Sequence, residues 1–443
     1  MSATPASTPE TADPAVPSLT GQGSPSGTPR SADRPGLLQQ IIRGDVLVVV
    51  LAFVFAVIIG SVLIVIADED VRAAAVYFFA RPGDTLAAAW GAIRDAYAAM
   101  FRGAIFDYQA RTPARAFKPI TETLTVATPL IIAACGMAVG FRAGLFNIGG
   151  TGQLIVGAMG AGYVGFAIDL PPVVHLVAAL VAGIVAGGIW GGIAGFLKAR
   201  FGANEVISTI MLNWIATYGI MYALKTKAFT GANQAQPTSP AVADDAALPL
   251  LLGPQFRLHL GLVLAIASIV FLWWLMSRSS LGFKFRAVGS NPRAAEVAGI
   301  DVGRSALGVM LIAGALVGLA GAVHVLGTEH RLTGGIAGSV GFDAITVALL
   351  GRSGPIGILL AGILFAALGT GGRFMETTQG VPLDLVQVIQ ALVVLFIAAP
   401  PLVRALVGLR RVDRPGAPRR RGRRRSQSPS PTSGPAATEG ENA

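Results

Sequence analysis

The sequence predicts an all-α polytopic membrane protein: about ten transmembrane helices, with broken or re-entrant segments in two related halves. Three observations carry that prediction. Apolar runs recur along most of the chain, many near the ~20 residues that a helix needs to cross a bilayer core. Composition agrees, because 53% of the 443 residues are hydrophobic and only 13% are charged, a balance foreign to soluble domains. Finally, two polar, glycine-rich stretches, 141–153 and 327–339, interrupt the apolar pattern. Non-helical backbone at membrane depth survives only against protein or a water-filled cavity.

Residues 1–44 are rich in Ser, Thr, Pro, Ala and Gly and are read as a disordered cytoplasmic tail. Arg30, Arg34 and Arg43 precede the first apolar run, 46–67, and so place the N-terminus in the cytoplasm. A cleaved signal peptide competes, since Val65-Ile66-Ala67 resembles a cleavage site, but the long polar leader favours an uncleaved anchor. Residues 68–118 mix charges with aromatic and alanine-rich patches and read as an extracytoplasmic segment with one or two interfacial helices. A second span covers 121–139, with Pro129 expected to interrupt it. Spans follow at 154–168 and, after Pro171-Pro172, at 173–197, the latter closed by Lys198 and Arg200. Within it Gly183, Gly187, Gly191 and Gly195 recur every fourth residue, a face that admits a neighbouring helix backbone. The fifth span is 206–224, an external segment 226–257 follows, and 258–276 crosses back.

Residues 277–304 form a basic cytoplasmic loop in which Lys284, Arg286 and Arg293 are opposed within 281–300 only by Glu296. Local rules draw a short helix there. Asn291 is an N-cap, Pro292 fits the first helical position, and Arg293 to Ala298 are mostly helix formers. Gly299 is placed to end the helix in a left-handed conformation. Two turns cannot cross a membrane. The stretch reads either as an ordinary capped loop or as a docking helix that passes motion from a soluble partner.

The seventh span, 305–326, carries Gly314 and Gly318. After the second broken stretch, 340–350 is too short to cross unaided, 356–368 follows, and 385–407 is the last span. Ten crossings within a permease domain 45–410 leave both termini in the cytoplasm. Residues 411–443, with Arg419-Arg420-Arg421 and Arg423-Arg424-Arg425, read as a disordered basic tail, a solvated charge run suited to anionic headgroups. Much of the net charge of +10 lies there, and nothing around it supports nucleic-acid binding.

Broken segments in matching places of two halves point to a solute pathway. Asn147, Gln153, Asn213, Trp214 and Asp343 are the candidates for its lining. Asn147 and Gln153 read equally as caps of broken helix ends. Asn213, Trp214 and Tyr218 suit either a flat heterocycle or helix packing. Glu329, His330, Arg331 and Asp343 suit either a solvated outer surface or a path through the membrane, the surface being favoured for the first three, and His324 lacks a second metal ligand at helical spacing. No catalytic residue, metal site or cofactor is expected. The chain has no Gly-Lys pair, hence no G-x-x-x-x-G-K-[ST] phosphate loop, so any ATP-driven step requires another subunit. Single Cys135 excludes a disulfide framework.

Four stretches resemble the membrane permease subunits of ABC importers in the ribose/branched-chain amino acid group. They are ATPL…FRAGLFNIGGTGQ, NEVISTIMLNWIA, RAVGSNPRAAEVAGI and LLGRSGPIG. The first two are most similar to nucleoside permeases, and the likeness covers 46–407. It implies a permease paired with a second, related permease, fed by an extracytoplasmic solute-binding lipoprotein and moved by an ABC ATPase. The ATPase contact would comprise Arg286, Asn291, Pro292, Ala294, Ala295, Glu296 and Gly299. The long tails depart from the family pattern, as does Trp214, where a smaller aromatic is expected. A simple-sugar or branched-chain amino acid permease, or an ion-coupled secondary transporter, are the rival readings.

Overall fold

The computed structural model describes residues 45–230 and 237–398, and its regular elements there are helices. In chain order these are α1 (Asp45–Ala67), α2 (Glu69–Ala75), α3 (Pro82–Ala104), α4 (Pro113–Arg142) and α5 (Gly150–Ala167). Next come α6 (Val174–Phe201), α7 (Glu205–Ala223), the single turn α8 (Lys227–Thr230), α9 (Gly261–Arg278), α10 (Ser280–Ser290) and α11 (Pro292–Val297). Then α12 (Val302–His324) runs into a π-helical turn (Val325–Glu329), followed by α13 (Val340–Leu350), α14 (Pro355–Gln379) and α15 (Leu383–Ala398). From Val48 onward the described residues form one unit. The tails expected at 1–44 and 411–443, and the end of the last apolar run, lie outside the described residues.

Among the described residues six helices are long and apolar enough to cross a membrane: α4, α6, α7, α9, α14, and α12 with its π turn. The expected ten spans are thus matched in six by length and composition, with Phe53–Ala67, α13 and Leu383–Phe396 shorter apolar helices.

The central helix is α4. The Thr112 hydroxyl caps it, accepting from the Arg115 N–H at 3.4 Å, and Pro113 opens it. Thirty residues then run unbroken through Pro119 and Pro129, so the interruption expected at Pro129 does not occur. The Thr125 and Thr128 hydroxyls donate to the carbonyls of Thr121 and Leu124, bracing the turn that Pro129 loosens. Other helices enclose this stretch, with residues 127 to 140 buried, the setting in which spans tolerate proline.

The glycine face of α6 meets that of α12. A Cβ on Gly187 would strike Gly318, and one on Gly314 would strike the Gly187 carbonyl. Backbones this close gain dispersion contacts along their length.

Two stretches hold more order than the sequence draws, although α11 in the first of them is the short helix it draws. Residues 277–304 hold two short helices: α9 breaks at extended Ser279, whose hydroxyl accepts from the Gly282 N–H at 2.9 Å and starts α10. The second is the segment between α8 and α9, whose residues 237–260 form a strap across the bundle end. Ser239, Val242, Ala246 and Leu248 are buried. The Val242 N–H donates to His330 O (2.9 Å), Ala243 to Gly165 O (2.9 Å) and Leu248 to Leu326 O (2.9 Å). A hydrophilic loop signal hid these apolar anchors.

Candidate functional site

The two glycine-rich interruptions meet inside the bundle. After Arg142 the chain is non-helical to Gly149, and α5 starts at Gly150. After the π turn it is non-helical from His330 to Ser339, and α13 starts at Val340. The two starts abut: a Cβ on Gly150 would lie 2.7 Å from the Gly341 carbonyl oxygen, and one on Gly341 would collide with Thr151. From this junction α5 runs toward the strap, where Gly165 is bonded, whereas α13 runs to the end where Arg142 Nε donates to the Ser353 carbonyl at 2.9 Å. At about 1.5 Å per residue the two half-helices reach about 27 and about 16 Å in opposite directions, so the junction lies between the two ends of the bundle.

Asn147, Gln153 and Asn213 hold the first interruption in place. Asn147 Oδ1 accepts from the Gly149 N–H (2.9 Å), and its amide donates to Gln153 Oε1 (3.1 Å). Asn213 accepts from the Gly152 N–H (2.8 Å) and donates to the Ile148 carbonyl (2.9 Å), while the Thr209 hydroxyl accepts from the Ile148 N–H (3.3 Å). All three amide side chains are buried, and the network satisfies backbone groups that a broken helix leaves orphaned. Asn147 caps the broken end directly, whereas the Gln153 side chain bonds Asn147 and, among the described residues, no backbone group. Trp214 lies on the other side of α7, exposed and stacked on Tyr218 with ring centroids 5.9 Å apart.

Asp343 stands apart from those residues, on the wall of an open cavity of about 1290 Å³ bounded by α4, α13, α14, α15, the end of α3 and the second interruption. The Ser339 hydroxyl donates to Asp343 Oδ2 at 2.6 Å, which keeps the carboxylate on the first turn of α13, where the positive helix end favours it. Glu122, Thr125, Thr346, Thr370, Gln387 and Gln390 share the wall, and Arg115, Lys118, Arg257 and Asp107 stand nearer the strap end. Arg257 reaches Glu122 (3.5 Å) and donates to the Thr328 carbonyl (3.3 Å). His324 and Glu329 also line the cavity, 3.9 Å apart. Sequence reasoning passed over Glu122, Gln387 and Gln390. A signal existed for the glutamines, since their spacing of three puts both on one side of a helix that is otherwise apolar after Asp384. Carboxylates accept and amides both donate and accept, so the wall suits a small neutral solute rich in hydroxyl or N–H groups.

At the Arg142 end lies the short helix α11. Asn291 Oδ1 accepts from the Ala294 N–H at 3.1 Å, and Gly299 has φ +79. Of the docking candidates, Ala295 is buried, whereas Asn291, Pro292, Ala294 and Glu296 are exposed, as is Gly299. Val297, not foreseen, is 91% exposed on the same short helix. Half-buried Arg286 sits in the preceding α10, whose Gly289 packs against the backbone of Arg142 to Gly144. The Arg142–Ser353 bond continues to the α13–α14 turn, where Arg352 and Ser353 both hold positive φ (50 and 52), a costly conformation for residues other than glycine.

The family described as "Branched-chain amino acid transport system / permease component" matches residues 120–398. The chain is 40% identical to the guanosine ABC transporter permease protein NupP of Bacillus subtilis, over 65% of this chain and 83% of that one. It is 38% identical to the glucose ABC transporter permease protein TsgB13 of Haloferax volcanii (63% and 75% covered). The nucleoside ABC transporter permease protein NupB of Lactococcus lactis is 33% identical (66% and 82% covered). No solved structure matches the chain.

Proposed function

The chain belongs to the family of permease components of branched-chain amino acid transport systems, and from that membership we propose that this multi-pass membrane protein is the translocating subunit of an ATP-driven nucleoside importer. The observation that carries the reading is the cavity beside Asp343, hung with carboxylates and amides. A nucleoside offers a diol and base N–H groups to such a wall. Relatives named for guanosine and nucleoside transport, at 40% and 33% identity, favour that solute. The relative named for glucose, at 38%, favours a sugar instead. Competition separates the two: uptake of labelled guanosine should fall with excess unlabelled adenosine and not with glucose, and the reverse pattern would assign a sugar.

We count α1, α5, α13 and α15 with the six long helices, ten crossings in all, arranged as two halves whose interrupted helices meet head to head. The Arg142 end is the cytoplasmic one. It carries Arg142, Lys198, Arg200, Arg278, Lys284, Arg286, Arg293, Arg304 and Arg352 against Glu205, Glu296 and Asp301, the bias of cytoplasmic loops. Both termini then lie in the cytoplasm, and the strap faces the extracytoplasmic binding lipoprotein that delivers solute.

A separate ATPase docks on α11, and a second related permease completes the pathway. The exposed Arg293, Ala294, Glu296 and Val297 make the contact, with Ala295 anchoring the helix. Motion passes from α10 through the Gly289–Gly144 contact and Arg142 to the turn at Ser353, and along α13 to Asp343. Co-purification tests this: the ATPase should accompany the full chain and be lost on Glu296→Arg, and undiminished recovery would refute the docking assignment.

A further inference from the structure

Beside α11 a groove of about 380 Å³ runs between α10 and α12. Lys284 and Arg304 stand at its edge, both exposed. Its apolar lining is Leu281, Phe285, Leu311 and Ile312, with Gly308 leaving the floor open. One acid is present: Asp301 Oδ2 lies 3.3 Å from Arg304 Nε, and its Oδ1 already accepts from the Arg304 N–H at 2.8 Å. Two positive charges face one negative, so the groove keeps a net charge of +1. The level of the groove follows from its neighbours. Trp273 and Trp274, each about half exposed, lie in the last two turns of α9, with the Arg278 guanidinium 5.9 Å from the Trp273 ring. Exposed tryptophans followed by arginine mark a membrane–water boundary.

We propose that this groove binds an acidic phospholipid of the inner leaflet, phosphate on Lys284 and Arg304 and the start of an acyl chain along Leu281, Leu311 and Ile312. Basic pockets between transmembrane helices on the cytoplasmic side take anionic headgroups. A slot with charge at its edge and an apolar lining, set at a membrane–water boundary, matches an amphiphile whose chain already lies in the bilayer. Gly299, Ile300 and Asp301 line the groove too, so an occupant would press on the chain that ties α11 to α12 and set how the docking helix is presented. The sidedness rests on the orientation proposed above; the chemistry does not.

Two measurements keep them apart. In native mass spectrometry, full-length chain in detergent should retain phosphatidylglycerol in preference to phosphatidylcholine. K284Q/R304Q should weaken that retention about tenfold, while R293Q, outside the groove, should leave it unchanged. Equal retention of the two lipids, unchanged retention in the double variant, or displacement by glycerol 3-phosphate as readily as by lipid would overturn the site. Separately, Ser290→Cys labelled with an impermeant maleimide in right-side-out and inverted vesicles reads orientation. Labelling in inverted vesicles alone places the groove at the inner leaflet, and labelling from outside would overturn the inner-leaflet assignment.

Discussion

Gly150 and Gly341 meet backbone to backbone where two half-helices begin, one entering from each end of the bundle. Neither position has room for a methyl group, since Thr151 abuts Gly341 while Gly341 and Met137 abut Gly150. Gly341→Ala should therefore cost about 1–3 kcal/mol by overpacking. Thermal denaturation of the full chain in detergent checks it. Gly91→Ala in α3, where nothing lies within 4 Å of the added carbon, should be neutral or gain up to about 1 kcal/mol from helix propensity.

Asn213 satisfies the Gly152 N–H and the Ile148 carbonyl together. Asn213→Leu strands both groups, at about 1–3 kcal/mol each, and should lower the melting temperature more than Thr209→Val, which strands one. Equal losses would mean that the network is not what holds the interruption.

Asp343 lines the cavity, and Asn at that position can keep the Ser339 bond. For Asp343→Asn, the KM for uptake should rise about tenfold or more, the loss of one charge-assisted hydrogen bond worth about 1.5–3 kcal/mol. ATPase co-purification should be unchanged. An unaltered KM would remove the carboxylate from solute contact.

His259, in the strap, is buried, and its Nδ1 accepts from the Gly261 N–H at 3.1 Å. Its pKa is pushed down to about 4, first by burial and then by the neighbouring His330, His324 and Arg257. Between about 4 and the ordinary value near 6.5 the unfolded chain binds the extra proton. Stability from this group is thus complete above about pH 6.5 and declines as pH falls toward 4. The slope is at most about 1.4 kcal/mol per pH unit. Melting curves across pH 4 to 8 should show that slope in the wild type and a shallower one in His259→Gln.

How much of this was legible in the sequence depends on the kind of signal. Asn291, Pro292 and Gly299 announce α11 because capping is local, and the α6 glycines announce a close neighbour because spacing fixes a face. Pro129 misleads, because its effect depends on the helices that brace α4 rather than on its own ring. The strap was hidden for a similar reason: Val242, Ala246 and Leu248 sit among prolines and beside Asp244 and Asp245, and only their partners at Gly165 and Leu326 give them a role. Asn147, Gln153 and Asn213 were singled out as polar groups in apolar surroundings. Their hydrogen bonds to backbone, Asn213 to Gly152 and Ile148 above all, join distant parts of the chain and follow from no local rule. Glu122, Gln387 and Gln390 reach one cavity from helices more than 260 positions apart in part, a convergence that periodicity within a helix cannot reveal.

The most direct test is guanosine uptake into proteoliposomes holding the full chain with its ATPase, second permease and binding lipoprotein. Concentrative uptake that needs ATP on the α11 side, persists with ionophores and is abolished by Glu296→Arg is the predicted result. Uptake by the chain alone, collapsing with ionophores and indifferent to ATP, would contradict the account.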